Sequence, residues 1–189
     1  MANKFQENKK RFFYPDEFEA MCEKLNKNQL FTAMVLINTG ARISETAGIE
    51  MKHLSNERKS VILEHTKVRA RRGERVSEPR IIAVSDSFFR YLKDNLPKRR
   101  ILSTNAFNVA IKGACAEAKI DKPHQFSAHK FRKTFGTWML ALGVDGFKLA
   151  QHLGHTPMEL AKDYATNDIF SIKDKQIMRS ILKNLPDRF

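Results

Sequence analysis

Apolar residues recur three and four positions apart through most of this chain and alternate only briefly, a pattern of helices with little sheet. Phe18, Met21, Cys22 and Leu25 fall on one helical face, and Pro15 suits the first position of the helix that carries them. The stretch "QLFTAMVLINTG" is apolar nearly all round, which predicts a mostly buried second helix ending at Gly40. A short helix follows, with Ser44 as its candidate N-cap. "SVILEHTKV" and "PRIIAV" read as strands, and the polar "RARRGERVSE" between them as a long basic hairpin tip. Further helices are predicted near 86–96, 104–119, 128–142, 145–152 and 157–163. A last one, about 170–185, carries Met178, Ile181 and Leu185 at helical spacing. The fold class is mainly α with a small antiparallel β-sheet, α+β in type. No linker rich in Pro, Gly or Ser divides the chain. Residues 1–13 read as a flexible basic lead-in and 14–189 as one domain.

Charge narrows the partner. Thirty-four Lys and Arg against 21 Asp and Glu give a formal charge of +13, which favours a polyanion, most often nucleic acid. Cys22 and Cys115, both in apolar helical patterns, suit a reducing compartment and offer no disulfide framework. No apolar run reaches the ~18 residues of a membrane helix, and "MANKFQENKK" lacks the apolar stretch of a secretory signal. The expected location is the cytoplasm or nucleoid, with no membrane partner.

The helix "SAHKFRKTFGTWML" is unusual. Phe131, Phe135, Trp138, Met139 and Leu142 make a core stripe, while His129 and Arg132 are neighbours beside it. Taken alone, the pair also fits a solvated arginine and a hydrogen-bonded histidine at the core edge. Arg42 follows the helix-stopping Gly40, where it suits gripping an anion or simply a surface position. In "LGHTPMELAKDYA", Thr156 and Pro157 read as N-cap and first helical residue, which puts His155 just before a helix. Tyr164 lies nine residues after His155, where a half-buried packing role is the ordinary alternative.

Together these stretches resemble the tyrosine recombinase family of phage integrases and Xer-like proteins. The motifs are "TG-x-R-x-S-E" at Thr39–Glu45, "H-x-x-R" at His129–Arg132, "L-G-H" at Leu153–His155, and Tyr164. Lys67, between the first arginine and the "H-x-x-R" helix, takes the place of the family's strand-turn lysine. The resemblance covers roughly residues 14–170 and implies a catalytic domain. It implies that Tyr164 attacks a DNA phosphate, that Arg42 and Arg132 hold the phosphate with His129 and His155, and that Lys67 protonates the leaving oxygen. Glu45 is a candidate support. This chemistry calls for neither metal nor ATP.

Lys67, Arg69, Arg71, Arg72, Arg75 and Arg80 stand against Glu74 and Glu78, so the hairpin suits a phosphate backbone. Lys130 and Lys133 are further candidates for DNA contact. The resemblance also implies that the tail helix docks on a neighbouring subunit through Ile172, Ile177, Met178, Ile181 and Leu185. Folding back on its own domain is the alternative. The family's N-terminal core-binding domain is expected to be absent. Double-stranded DNA carrying a recombination site is the expected partner. A type IB topoisomerase and a noncatalytic DNA-binding regulator are the competing functions.

Overall fold

The computed structural model describes residues 12–64, 79–158, 160 and 169–189. Helix α1 is Pro15–Cys22, with Pro15 at its first position as expected. Helix α2 is Lys27–Thr39; Asn26 Oδ1 accepts from the amides of Asn28 and Gln29 at its start. It ends at Gly40, whose left-handed φ of 62° suits a residue without Cβ. Helix α3, Ile43–Thr46, is capped by Arg42 and not by Ser44, because the Arg42 amide donates to Glu45 Oε2 at 2.8 Å.

Strands β1 (Leu54–Ser55), β2 (Ser60–Leu63) and β3 (Arg80–Ala83) form an antiparallel sheet in that order. Val61 faces Leu54 on one side and Ile82 on the other. The antiparallel pairing of β2 with β3 matches the two expected strands, while the basic tip expected between them lies outside the described residues; β1, two residues long, carries no pattern by which to find it. Helices α4 (Asp86–Asn95), α5 (Thr104–Glu117), α6 (Ala128–Ala141), α7 (Gly146–Leu153) and α8 (Ile172–Ile181) follow.

Two apolar clusters share α2. One gathers Phe31 and Val35 against Val61, Leu63, Ile82, Phe88 and Leu92, sealing the sheet beneath α4. The other packs Leu36 and Ile37 with Phe18, Phe107, Phe131, Phe135 and Trp138. Burying each such side chain contributes about 1.5–3 kcal/mol. Helix α6 runs through this second cluster, and every residue from Phe131 to Met139 is buried. A helix held on all sides presents its first turn in a fixed position.

Two expectations about the ends change. Phe13, placed in the flexible lead-in, is fully buried; its amide donates to Thr134 Oγ1 and its carbonyl accepts from Trp138 Nε1. At the other end, Met178, Ile181 and Leu185 pack into the chain's own core, and Asn38 Nδ2 donates to the Ile181 carbonyl at 3.1 Å. These side chains are therefore not displayed to a neighbouring subunit here, because the domain's own apolar surface takes them up. Ile172 stays 80% exposed.

Two glycines give opposite expectations. A Cβ on Gly40 would lie 2.4 Å from Phe135 Cδ1, on top of the left-handed strain. Gly40→Ala is expected to destabilise by about 2–5 kcal/mol, lowering Tm by roughly 5–15 °C. A Cβ on Gly113, inside α5, would meet nothing within 4 Å. Gly113→Ala is expected to stabilise by about 0.5–1 kcal/mol. Thermal melts of the two variants check the pair.

Candidate active site

The site forms where the first turn of α6 meets the Gly40–Arg42 turn and the end of α7. The Ala128 amide at the start of α6 donates to Asn108 Oδ1 at 2.8 Å, tying this turn to α5. One turn on, Arg132 is 1% exposed. Its Nη1 donates to the Gly40 carbonyl at 2.9 Å and its Nη2 to the Leu153 carbonyl. Nη2 also lies 2.7 Å from His155 Nε2. A guanidinium only donates, so His155 Nε2 is the acceptor and its ring proton sits on Nδ1.

Arg42 projects beside it. Its Nη1 donates to Glu45 Oε1 at 2.8 Å, and Glu45 has a side chain only 1% exposed. Arg42, His129 and Arg132 line one cleft of about 170 Å³ with Thr104, Asn108 and Ser127. Two guanidiniums and an imidazole thus surround a space at the N-terminus of a 14-residue helix, whose dipole adds positive potential. Such a space attracts an anion of phosphate size.

Arg42, Glu45, His129, Arg132 and His155 therefore converge. The Leu160 amide donates to the Thr156 carbonyl at 3.0 Å, in keeping with a helix that starts after Thr156. Lys67, Tyr164, Arg69, Arg71, Arg72 and Arg75 lie outside the described residues. Lys130 is half-buried on the first turn of α6. The expectation that Arg80 and Lys133 contact DNA does not fit their positions. Lys133 is 9% exposed on the enclosed part of α6. Arg80 turns inward, donating through Nη2 to Glu45 Oε2 at 3.0 Å and through Nη1 to the Leu153 carbonyl.

Beneath the site lies His152, which the sequence reading does not single out. Its Nε2 is 2.9 Å from the Thr39 carbonyl and its ring stacks on Phe135. Burial pushes its pKa down to about 4; the Thr39 hydrogen bond opposes this, and the charges of Arg80 and Arg132 add to it. Between that value and the ordinary 6.5 the unfolded chain binds the extra proton, so stability rises with pH across this window and is lost on acidification. Moving from pH 7 to pH 5 is expected to cost about 2 kcal/mol through this group. His152→Gln, which keeps a donor for Thr39, is expected to flatten the dependence in urea melts at the two pH values.

A model of the phage integrase family matches residues 11–169. The chain belongs to the phage integrase family. Solved integrases and recombinases share its fold. XerA recombinase superposes with a TM-score of 0.63 at 20% identity, over 95% of this chain and 66% of that one. The Tn1549 transposon integrase, in a structure with circular intermediate DNA, gives 0.68 at 17% identity, over 91% and 67%. The catalytic domain of bacteriophage HP1 integrase gives 0.58 at 21% identity, over 80% and 84%. This integrase-family chain thus has the tyrosine recombinase catalytic-domain fold and spans about two thirds of the length of XerA. No curated protein matches it by sequence. Among the described residues, no helix is long and apolar enough to cross a membrane, and no group of three or more His, Cys, Asp or Glu is placed to hold a metal ion.

Proposed function

We propose that this domain cuts and rejoins double-stranded DNA at a recombination site through a covalent 3′-phosphotyrosyl link. The observation that carries this reading is the shared cleft of Arg42, Arg132 and His129 at the start of α6. The phenolic oxygen of Tyr164 attacks phosphorus, the bond from phosphorus to the 5′-oxygen breaks, and that oxygen takes a proton from Lys67. Charge builds on the non-bridging oxygens, where Arg42 and Arg132 donate hydrogen bonds from permanently charged groups. His129 and His155 steady the phosphate, and His129 also moves the tyrosine proton. Glu45 holds Arg42 in place. The phosphotyrosyl ester conserves the bond energy, so a second hydroxyl reverses the step without ATP. No metal ion takes part. Work on DNA sets the location inside a cell, in cytoplasm or nucleoid. The domain that includes Phe13 in its core acts as the catalytic domain, with the basic segment around Arg69, Arg71, Arg72 and Arg75 against the DNA backbone.

The test uses a nicked substrate that traps the intermediate, resolved on a denaturing gel. A protein–DNA adduct is expected, at the same yield with and without a chelator. If no adduct forms with DNA that the protein binds tightly and specifically, the reading is wrong.

A further inference from the structure

We propose that Arg80 is a positioning residue for strand cleavage, one guanidinium on β3 that sets both arginines of the cleft; the proposal rests on the function inferred above. Its fork divides between two acceptors. Nη2 reaches Glu45 Oε2 at 3.0 Å, and Nη1 reaches the Leu153 carbonyl. Each acceptor also serves an arginine of the cleft. The other Glu45 oxygen takes Arg42 Nη1 at 2.8 Å, and the same Leu153 carbonyl takes Arg132 Nη2. Arg80 is therefore one acceptor away from Arg42 on one side and from Arg132 on the other.

The surroundings are built around this fork. Leu153 ends α7, whose C-terminal carbonyls attract cations. Gly154 follows with φ 65°, and a Cβ there would lie 2.7 Å from Arg80 Nη1. The next residue is His155, bonded to Arg132. Arg80 thus also holds the turn that delivers His155. Its side chain is only 15% exposed, and both terminal nitrogens are engaged, which leaves little for a DNA phosphate to bind. Strand alternation agrees: Arg80 shares a face with Ile82 and Val84, both buried, while Ile81 is 63% exposed. The arrangement is electrostatically expensive, since Arg42 and Arg80 share the single Glu45 carboxylate while Arg80 and Arg132 converge on one carbonyl. Burial and the Arg42 charge press the Arg80 pKa down, with Glu45 opposing. An apolar residue would fill the space without that penalty.

Arg80→Lys tests this, because an ammonium keeps the charge beside Glu45 but lacks the planar fork that spans both acceptors. Adduct formation at saturating DNA is expected to fall about 10–100-fold, with DNA affinity within about twofold and its salt dependence unchanged. The Arg132 Nε–H resonance, assigned through Arg132→Lys, is expected to shift in the Arg80 variant. Cleavage within twofold of the parent overturns the proposal. So does weaker binding with a salt slope reduced by about one, the mark of a direct phosphate contact. So does a loss of cleavage that follows the loss of folded protein in melts. Arg80→Gln is the second variant should the lysine fold poorly, with the same division between binding and cleavage expected. If the parent chain forms no adduct, the functional reading falls. The Arg132 resonance still decides the positioning role, and an unmoved signal ends it.

Discussion

Replacing Tyr164 with phenylalanine is expected to abolish the covalent protein–DNA adduct while DNA affinity stays within about twofold. The substitution removes one oxygen and keeps the ring, so apolar contacts and overall charge are untouched. Proposed cleavage needs that oxygen as the atom that bonds to phosphorus, and no rearrangement of a phenyl ring replaces it. The measurement pairs a denaturing gel on nicked substrate with a binding titration on intact DNA. An adduct that survives the substitution identifies another nucleophile. Loss of binding together with the adduct assigns Tyr164 to structure, the packing role open to any tyrosine.

The second large effect separates the two arginines of the cleft. Arg132→Ala and Arg42→Ala are each expected to slow cleavage about 10²–10³-fold, the scale for losing one preorganised donor to a developing oxyanion. Their stabilities are expected to differ. Arg132 is 1% exposed, and without it the buried Gly40 carbonyl loses its side-chain donor. The penalty is about 1–3 kcal/mol, or roughly 2–12 °C in Tm. The Arg42 side chain is 45% exposed, and Glu45 keeps Arg80 when it is removed, so its melt is expected to stay within about 3 °C of the parent. Single-turnover cleavage and thermal melts of both variants decide. Should both variants cleave within tenfold of the parent, the cleft is not the phosphate site.

Much of this is legible in the amino-acid sequence. Pro15, Gly40 and the apolar spacing of Phe18 and Met21 mark the helix ends and buried face that the fold adopts. Local rules suffice there because a cap, a left-handed turn and a helical stripe are decided within a few residues. Arg80 and Lys133 were not legible as interior residues. "PRIIAV" offers Arg80, Ile82 and Val84 on one face and Ile81 and Ala83 on the other. Both faces are largely apolar, so alternation alone does not say which turns inward. Lys133 sits among core residues of a helix enclosed on every side, a condition that depends on the elements packed around it. Asn108 caps a helix that begins 20 residues later, and no local pattern announces the bond.

The order of Arg42, His129, Arg132 and His155 along the chain, with their helix and turn settings, belonged to the sequence by itself, as did the family resemblance and the positive charge. Only the tertiary structure brought Arg42 and Arg132, 90 positions apart, to one cleft, and only it turned Arg80 inward onto Glu45 and the Leu153 carbonyl. The reason is physical. Backbone propensity and side-chain periodicity act over a turn or a strand. Where a buried charge finds its partners is settled by how α2, α6, α7 and β3 pack, because burial without those partners would be too unfavourable to persist.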